Sequence, residues 1–371
     1  MKFKWRHSSF RSPINNNPAR FSFGARVPLQ HNSLVISRPA SVKELSDGLA
    51  KAFARGEKLP SLDLSALHRV LEYTPEDMTA AVETGSTLAA FQEQLGAQGQ
   101  WLPIDPPNPQ SATIADILNA NSSGPRRFGY GTVREHLIGI KVVLADGRII
   151  KAGGKVVKNV AGYDLCKMFV GSRGTLGVIV EAVFKLRPLP EAEQFVQARC
   201  DSLDQAGHLL DTALESELMP IVLDLHNLSD FKGRDKWPVT DDEQKALPPV
   251  TRHLSLVTSL VLGFAGTREE VQWQLEKARE LGLSDNSNLD YERAFWSSPA
   301  EGAIHFKSVL PSRLIETLRD LGAVPFVARA GNGGIFYRGG SPPAKSDLPL
   351  ALMRRLKETY DPKNILPELA L

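Results

Sequence analysis

Over 137–144 and again over 178–187 apolar residues recur at every second position, and this alternation commits both stretches to sheet. Ile138, Ile140, Val142 and Leu144 share one face, Asp146-Gly147 supplies a two-residue turn, and Ile149 begins a return strand. A helix would scatter these side chains around its axis, whereas a pleated strand gathers them on one side. After a Gly-containing stretch, Val178, Val180, Ala182, Phe184 and Leu186 form a second apolar face. Ile179, Glu181, Val183, Lys185 and Arg187 form the opposite face, which is only partly polar and predicts a strand half covered on its second side. Pro188 and Pro190 mark a boundary.

Helical spacing brackets this sheet. Ser41-Val42-Lys43-Glu44 has capping-box spacing, and Val42, Leu45, Leu49 and Phe53 follow on one face until Gly56 stops the helix. Short strands are predicted at 70–73 and 80–83, then a helix carrying Leu88, Phe91 and Leu95 and ended by Gly96. Beyond the prolines the order reads strand near Phe195, helix from Ser202, strands over 220–225 and 254–264, and a helix capped by Thr267 to Glu270 and ended by Gly282. A strand over 304–309, a helix over 312–321 and a strand over 325–328 follow. Strand-helix-strand units with antiparallel returns predict a ferredoxin-like α+β domain. A last helix over 348–360 is halted by Asp361-Pro362, and its Arg354, Arg355 and Lys357 read as a solvated face complementing the helix dipole.

With 371 residues, 42% of them hydrophobic, the chain has apolar mass for more than one core. Cys166 and Cys200 are its only cysteines, which excludes a disulfide scaffold and favours a reducing compartment. A formal net charge of +2 gives no global field for nucleic acid or an anionic membrane. Before Glu44 there is no acidic residue, so residues 1–40 read as a basic, loosely ordered N-terminal segment. An organelle transit peptide is the alternative, weakened by Pro13, Pro18 and Pro28, which interrupt any amphipathic helix. No apolar run approaches the ~20 residues of a membrane span. The expectation is a cytoplasmic protein that is not an integral membrane protein.

Chemistry is most concentrated from Asp105 to Gly131, where Asp-Pro-Pro is followed by Ser111-Ala-Thr-Ile and by Asn121-Ser122-Ser123-Gly124-Pro125-Arg126-Arg127-Phe128-Gly129-Tyr130-Gly131. Small residues beside glycines let backbone N–H groups approach a phosphate, and arginines can fork onto its oxygens. On composition alone, a diphosphate cradle and an ordinary Gly/Ser/Pro loop fit equally. Gly153-Gly154 and Gly171 to Gly177 supply further tight turns that can present backbone to a flat heteroaromatic edge. Lys158, Tyr163 and Asp164 admit a proton-handling role, but holding a turn is the better reading, and Cys166 reads as buried and inert. A Walker loop, a serine nucleophile elbow and a CxxC pair are all absent.

Taken in order, ATIADILNANSSGPRRFGYGTVREHLIGIKVVLADGRIIKAGG, KVVKNVAGYDLCKMFVGSRGTLGVI and VEAVFKLRPLP resemble the flavin-binding domain of the vanillyl-alcohol-oxidase/p-cresol-methylhydroxylase (PCMH) superfamily. Within it they most resemble the family of FAD-binding companion subunits of glycolate oxidase, closely from about Leu62 to Pro190 and loosely after that. The resemblance implies an α+β fold: a two-subdomain, PCMH-like FAD-binding type 2 domain over 41–190, a ferredoxin-like α+β cap over 191–340, and a C-terminal helix and tail over 341–371. It implies that 105–131 lies along the FAD diphosphate and flavin, and that the backbone of 177–179 faces the adenosine half. The positions it carries over are Pro106, Thr113, Ile114, Asn121, Ser123, Gly124, Tyr130, Gly131, Gly177 and Ile179.

Two departures from the family pattern stand out. The strand and Gly-rich phosphate loop usual after the first helix are missing, and residues 56–61 join it directly to LDLSALHRV. Paired glycines usual before the Asn-containing turn are Ala115-Asp116, which brings a carboxylate toward a negatively charged group. The cap also lacks the family's His-rich metal segment, reading Ala328-Arg329-Ala330-Gly331-Asn332-Gly333-Gly334, while His226 and His305 stand isolated. The resemblance therefore implies an FAD-linked subunit that works in electron relay or assembly beside a catalytic flavoprotein subunit and an iron–sulfur subunit, in glycolate catabolism. A scaffold with a degenerate flavin site and a stand-alone FAD-linked oxidase are the alternatives.

Overall fold

The computed structural model describes residues 38–59, 61–154, 165–228, 257–297, 302–342 and 350–368. Most of the expected basic segment 1–40 lies outside them, as do Lys158, Tyr163 and Asp164. The first half of the chain runs α1 (Val42–Arg55), β1 (Val70–Thr74), β2 (Thr79–Glu83), α2 (Leu88–Gly96), β3 (Gln100–Trp101), α3 (Ile114–Ala120), α4 (Arg127–Tyr130), α5 (Val133–His136), β4 (Leu137–Val143), β5 (Ile149–Gly153), α6 (Cys166–Phe169), β6 (Val178–Lys185) and β7 (Arg187–Pro188). The second half runs β8 (Ala192–Cys200), α7 (Leu203–Glu215), β9 (Val222–His226), β10 (Thr258–Gly266), α8 (Arg268–Glu280), β11 (Asp285–Ser287), α9 (Asp290–Ser297), β12 (Ile304–Ser308), α10 (Leu314–Leu321), β13 (Phe326–Arg329), β14 (Gly334–Arg338) and α11 (Leu350–Tyr360).

The first sheet is five-stranded, β1-β2-β6-β4-β5, with every pair antiparallel. One face packs on Phe91, Leu95, Ile114 and Leu118 of α2 and α3, and the other on Leu45, Leu49 and Ala52 of α1 together with Ile365 and Leu366. Burial on both sides explains the partly polar second face of β6. The alternation itself breaks at two bulges. Lys141 pairs with Glu181 but Val142 with Ile179, so Val180 is an extra residue. An extra residue reverses which face the following side chains meet. Ile179 therefore joins Ala182 and Phe184 in one core, while Val180 packs under α1. A second shift between Leu137 and Gly139 puts Leu137, not the expected Ile138, into that core. The single apolar faces expected from sequence are corrected accordingly.

The second sheet is seven-stranded and antiparallel, in the order β11-β8-β10-β9-β13-β14-β12. Leu210, Val271, Leu275, Leu314 and Leu318 from α7, α8 and α10 cover one face. Tyr291 and Phe295 of α9 cover Val261 and Val327 on the other. The chain thus has the α+β architecture expected; β3, α3, α4, α5 and β7 in its first half and β11, α9 and β14 in its second are added to the elements read from sequence. β14 carries Ile335, Phe336 and Tyr337, directly after the segment compared with a metal site.

Lys357 corrects the solvated face expected of the last helix. It is only 7% exposed, and its Nζ donates to Asp361 Oδ2 at 2.6 Å, Thr175 O at 3.1 Å and Pro367 O at 3.0 Å. Asp361 in turn accepts from the Ile365 and Leu366 amides. An ammonium this deep is held by pairing, and removing its partner leaves an uncompensated charge. Asp361→Ala should lower the unfolding free energy by about 3–5 kcal/mol, read by urea denaturation. Lys357→Met combined with Asp361→Asn should cost less than Asp361→Ala, because no charge is then stranded.

Candidate functional site

The segment that follows α3 is fixed by one arginine. Arg126 Nη1 donates to Asp105 Oδ2 at 3.0 Å, and its Nε and Nη2 donate to the Glu193 carboxylate on β8 at 2.7 and 2.5 Å. Its guanidinium lies 5.9 Å from the Trp101 ring centroid and 5.8 Å from that of Phe195. This bidentate and stacked geometry needs arginine, not lysine. Burial opposes the Arg126 charge, but the two carboxylates outweigh it and hold its pKa above the ordinary value. Asp105 shows the reverse balance: burial outweighs Arg126 and pushes it up to about 6.

Neighbouring contacts carry this anchoring into the second sheet. The Gly129 amide donates to Ile221 O at 3.0 Å, and a methyl group on Gly129 would lie 2.6 Å from the Ile221 Cα. A methyl group on Gly331 would lie 2.0 Å from Phe128 Cε2. Tyr130 meets Trp101 edge-on at 5.4 Å, and its carbonyl is hydrogen-bonded to His136 Nε2 at 2.9 Å. Burial holds His136 below the ordinary histidine pKa, so its ring is neutral and Nε2 is the donor.

Among the described residues, four buried side-chain polar atoms without a partner gather at the C-terminal end of α3; the others are Trp101 Nε1, His136 Nδ1, Asp224 Oδ1 and Arg329 Nε and Nη2. Asn121 closes the helix at φ +48°, a conformation asparagine tolerates better than most residues. The turn 171–173 docks there, with Gly171 N–H on Leu118 O at 2.8 Å and Arg173 N–H on Asn119 O at 2.9 Å. Asn119 Oδ1, Asn121 Oδ1, Ser123 Oγ and Ser172 Oγ are all buried and have no hydrogen-bond partner among the described residues. Buried polar atoms are almost always paired, so a group of orphans on adjoining turns fits a polar ligand.

The carried-over positions divide by what surrounds them. Asn121 and Ser123 hold orphaned atoms, and Tyr130 and Gly131 (φ +86°) close the same segment. Pro106 and Gly124 are buried beneath it, Gly124 with room only for hydrogen against Asp105 O. Thr113 caps α3, Ile114 and Ile179 are core side chains, and Gly177 abuts Val142. Asp116 turns back onto Thr113, whose N–H and Oγ1 it accepts at 3.0 and 2.7 Å, so it does not face inward.

Sequence reasoning missed the polar cluster on the second sheet. Asp224 and Arg329 are register partners on β9 and β13 and are ion-paired. Arg329 Nη1 also donates to Glu292 Oε1 at 2.6 Å, and Tyr291 OH to Asp224 Oδ2 at 2.7 Å. Burial, opposed by Arg329, pushes Asp224 up to about 7; it pushes His226, stacked on Tyr291 at 4.5 Å, down to about 4. Gly331, two residues beyond Arg329, meets Phe128, so this cluster borders the segment that follows α3. No group of three or more His, Cys, Asp or Glu side chains suited to a metal occurs among the described residues.

Residues 43–153 match the family model described as FAD binding domain. The chain carries a PCMH-type FAD-binding domain. FAD is the cofactor of that domain. The chain is 38% identical over 216 residues to glycolate oxidase subunit GlcD of Bacillus subtilis (strain 168), covering 58% of this chain and 44% of that one. It is 35% identical over 133 residues to glycolate oxidase subunit GlcE of Escherichia coli (strain K12), covering 36% and 38%. It therefore spans less than half the length of these relatives. A solved alkyldihydroxyacetonephosphate synthase structure shares the fold at TM-score 0.67 and 17% identity, over 90% of this chain and 76% of that one. No helix among the described residues is long and apolar enough to cross a membrane.

The raised Asp105 predicts a pH signature. Its native form keeps a proton that the unfolded form has lost, so its contribution to stability falls as pH rises from about 4 to about 6. Asp105→Asn should remove that slope. The wild-type minus variant difference in unfolding free energy should decline across this window by at most ~1.4 kcal/mol per pH unit, measured by denaturation at several pH values.

Proposed function

We propose that this chain is the FAD-binding subunit of a glycolate-oxidase-like 2-hydroxy-acid oxidoreductase, serving electron relay or assembly beside a catalytic flavoprotein subunit and an iron–sulfur subunit. The observation that carries the proposal is the set of orphaned polar atoms on Asn119, Asn121, Ser123 and Ser172. Bound FAD supplies the two-electron chemistry. Asn121 and Ser123 orient it through Oδ1 and Oγ, while Trp101 and Tyr130 exclude water beside them. Arg126 keeps the segment in register with the second sheet. Of the carried-over positions, Pro106, Gly124, Gly131 and Gly177 shape the backbone, and Thr113, Ile114 and Ile179 fix α3 and β6.

A companion role, rather than substrate oxidation, is supported by the second sheet. Its segment Ala328-Arg329-Ala330-Gly331-Asn332-Gly333-Gly334 stands where the resemblance implies a His-rich metal segment, although Arg329, paired through Nη1 with Asp224 and Glu292, keeps Nε and Nη2 without a partner among the described residues. The same reading divides the chain into a flavin domain over 41–190, a cap over 191–340 and a C-terminal helix that returns to the flavin domain, in a cytoplasmic complex of glycolate catabolism. A non-catalytic scaffold is the second reading, favoured by the missing phosphate loop.

The deciding experiment is flavin content per chain, for protein expressed alone and with a candidate catalytic partner. A yellow protein carrying flavin supports the first reading; a colourless protein that takes up no added FAD in either setting overturns it. Ser123→Ala should weaken flavin binding about five- to tenfold, as expected for one hydrogen bond worth ~1–1.5 kcal/mol, measured by quenching of flavin fluorescence.

A further inference from the structure

The two ends of α3 differ in what they leave open for a ligand. At the C-terminal end, Asn119, Asn121, Ser123 and Ser172 hold unpartnered atoms. At the N-terminal end, the Ile114 amide donates to Ser86 O at 2.9 Å, Ala115 to Thr84 O at 2.8 Å and Asp116 to Thr113 Oγ1 at 3.1 Å. The Thr113 amide is taken by the Asp116 carboxylate. These four donors are therefore all satisfied by the protein itself.

Beside them the turn that replaces a longer loop presses onto the sheet. The Gly85 amide donates to Leu67 O at 2.8 Å, and a methyl group on Gly85 would lie 1.8 Å from Leu64 O. Arg69, the cation of this turn, is spent on Glu83, with Nη2 to Oε1 at 2.8 Å and its own amide to Oε2 at 2.8 Å. Glu83 is 1% exposed and lies two residues from Gly85, so the charge this corner adds beneath its surface is negative. Among the described residues of this corner, an anionic diphosphate finds these amides engaged and the exposed arginine turned onto Glu83 through Nε and Nη2.

The backbone that the family resemblance turns toward adenosine is equally occupied. Ile179 O accepts from Thr84 Oγ1 at 2.6 Å, Val180 O accepts from the Thr84 amide at 3.0 Å, and the space beside Gly177 is filled by Val142 Cγ1. Resting on the flavin assignment above, we propose that this chain recognises only the riboflavin phosphate portion of its cofactor and draws no affinity from the adenylate half.

The test is a fluorescence titration of the full chain with riboflavin, FMN and FAD, followed by displacement with ADP. FMN and FAD should bind within about threefold of each other, and millimolar ADP should leave bound flavin in place. FAD binding more than tenfold tighter than FMN, or displacement by ADP, would overturn this inference while leaving the flavin assignment intact. Failure to bind any of the three flavins would overturn both.

Discussion

The site depends on a buried arginine shared by two sheets. Arg126 arises from the flavin domain, accepts the desolvation cost of burial, and is compensated by Asp105 on its own side and Glu193 on β8. Without it, two carboxylates would face one another across the junction. With it, the backbone of 121–131 is tied to β8, and the close approaches at Gly129 and Gly331 join the same segment to the second sheet. The orphaned atoms at the end of α3 owe their placement to this anchoring as much as to the helix.

Much of the fold was legible because local signals agree with tertiary packing. Ser41, Ser202 and Thr267 cap the helices their spacing announces, and the Asp146-Gly147 hairpin forms where expected. The faces of β4 and β6 were misread because a bulge is an offset between two strands, visible only once they are paired. Strand β14 was hidden by Gly333-Gly334, which reads as loop until Phe306 and Val327 flank it. α9 is polar enough in sequence that only Tyr291 and Phe295 reveal its buried side.

Of the candidate site, composition left 105–131 open between a diphosphate cradle and an ordinary loop and the resemblance named its cofactor, but neither gave the partners that hold it. Arg126 and Glu193 are 67 residues apart, and Asp224 and Arg329 are 105 apart. Such pairs leave no periodic trace. Lys357 illustrates the same limit from the other direction, since a lysine at a helix end reads as solvated until the returning tail at Leu366 and Pro367 covers it. The closed N-terminal end of α3 lies beside the shortened entrance, yet the groups that fill it, Ser86 O, Thr84 O and the Asp116 carboxylate, leave no trace in sequence spacing.

Hydrogen exchange of Arg126→Met beside wild type tests the central claim most directly. If the arginine holds the segment, amides over 121–131 should lose protection at least tenfold while those of β4 and β6 keep theirs. Unchanged protection over 121–131, or an equal loss throughout both sheets, would contradict it.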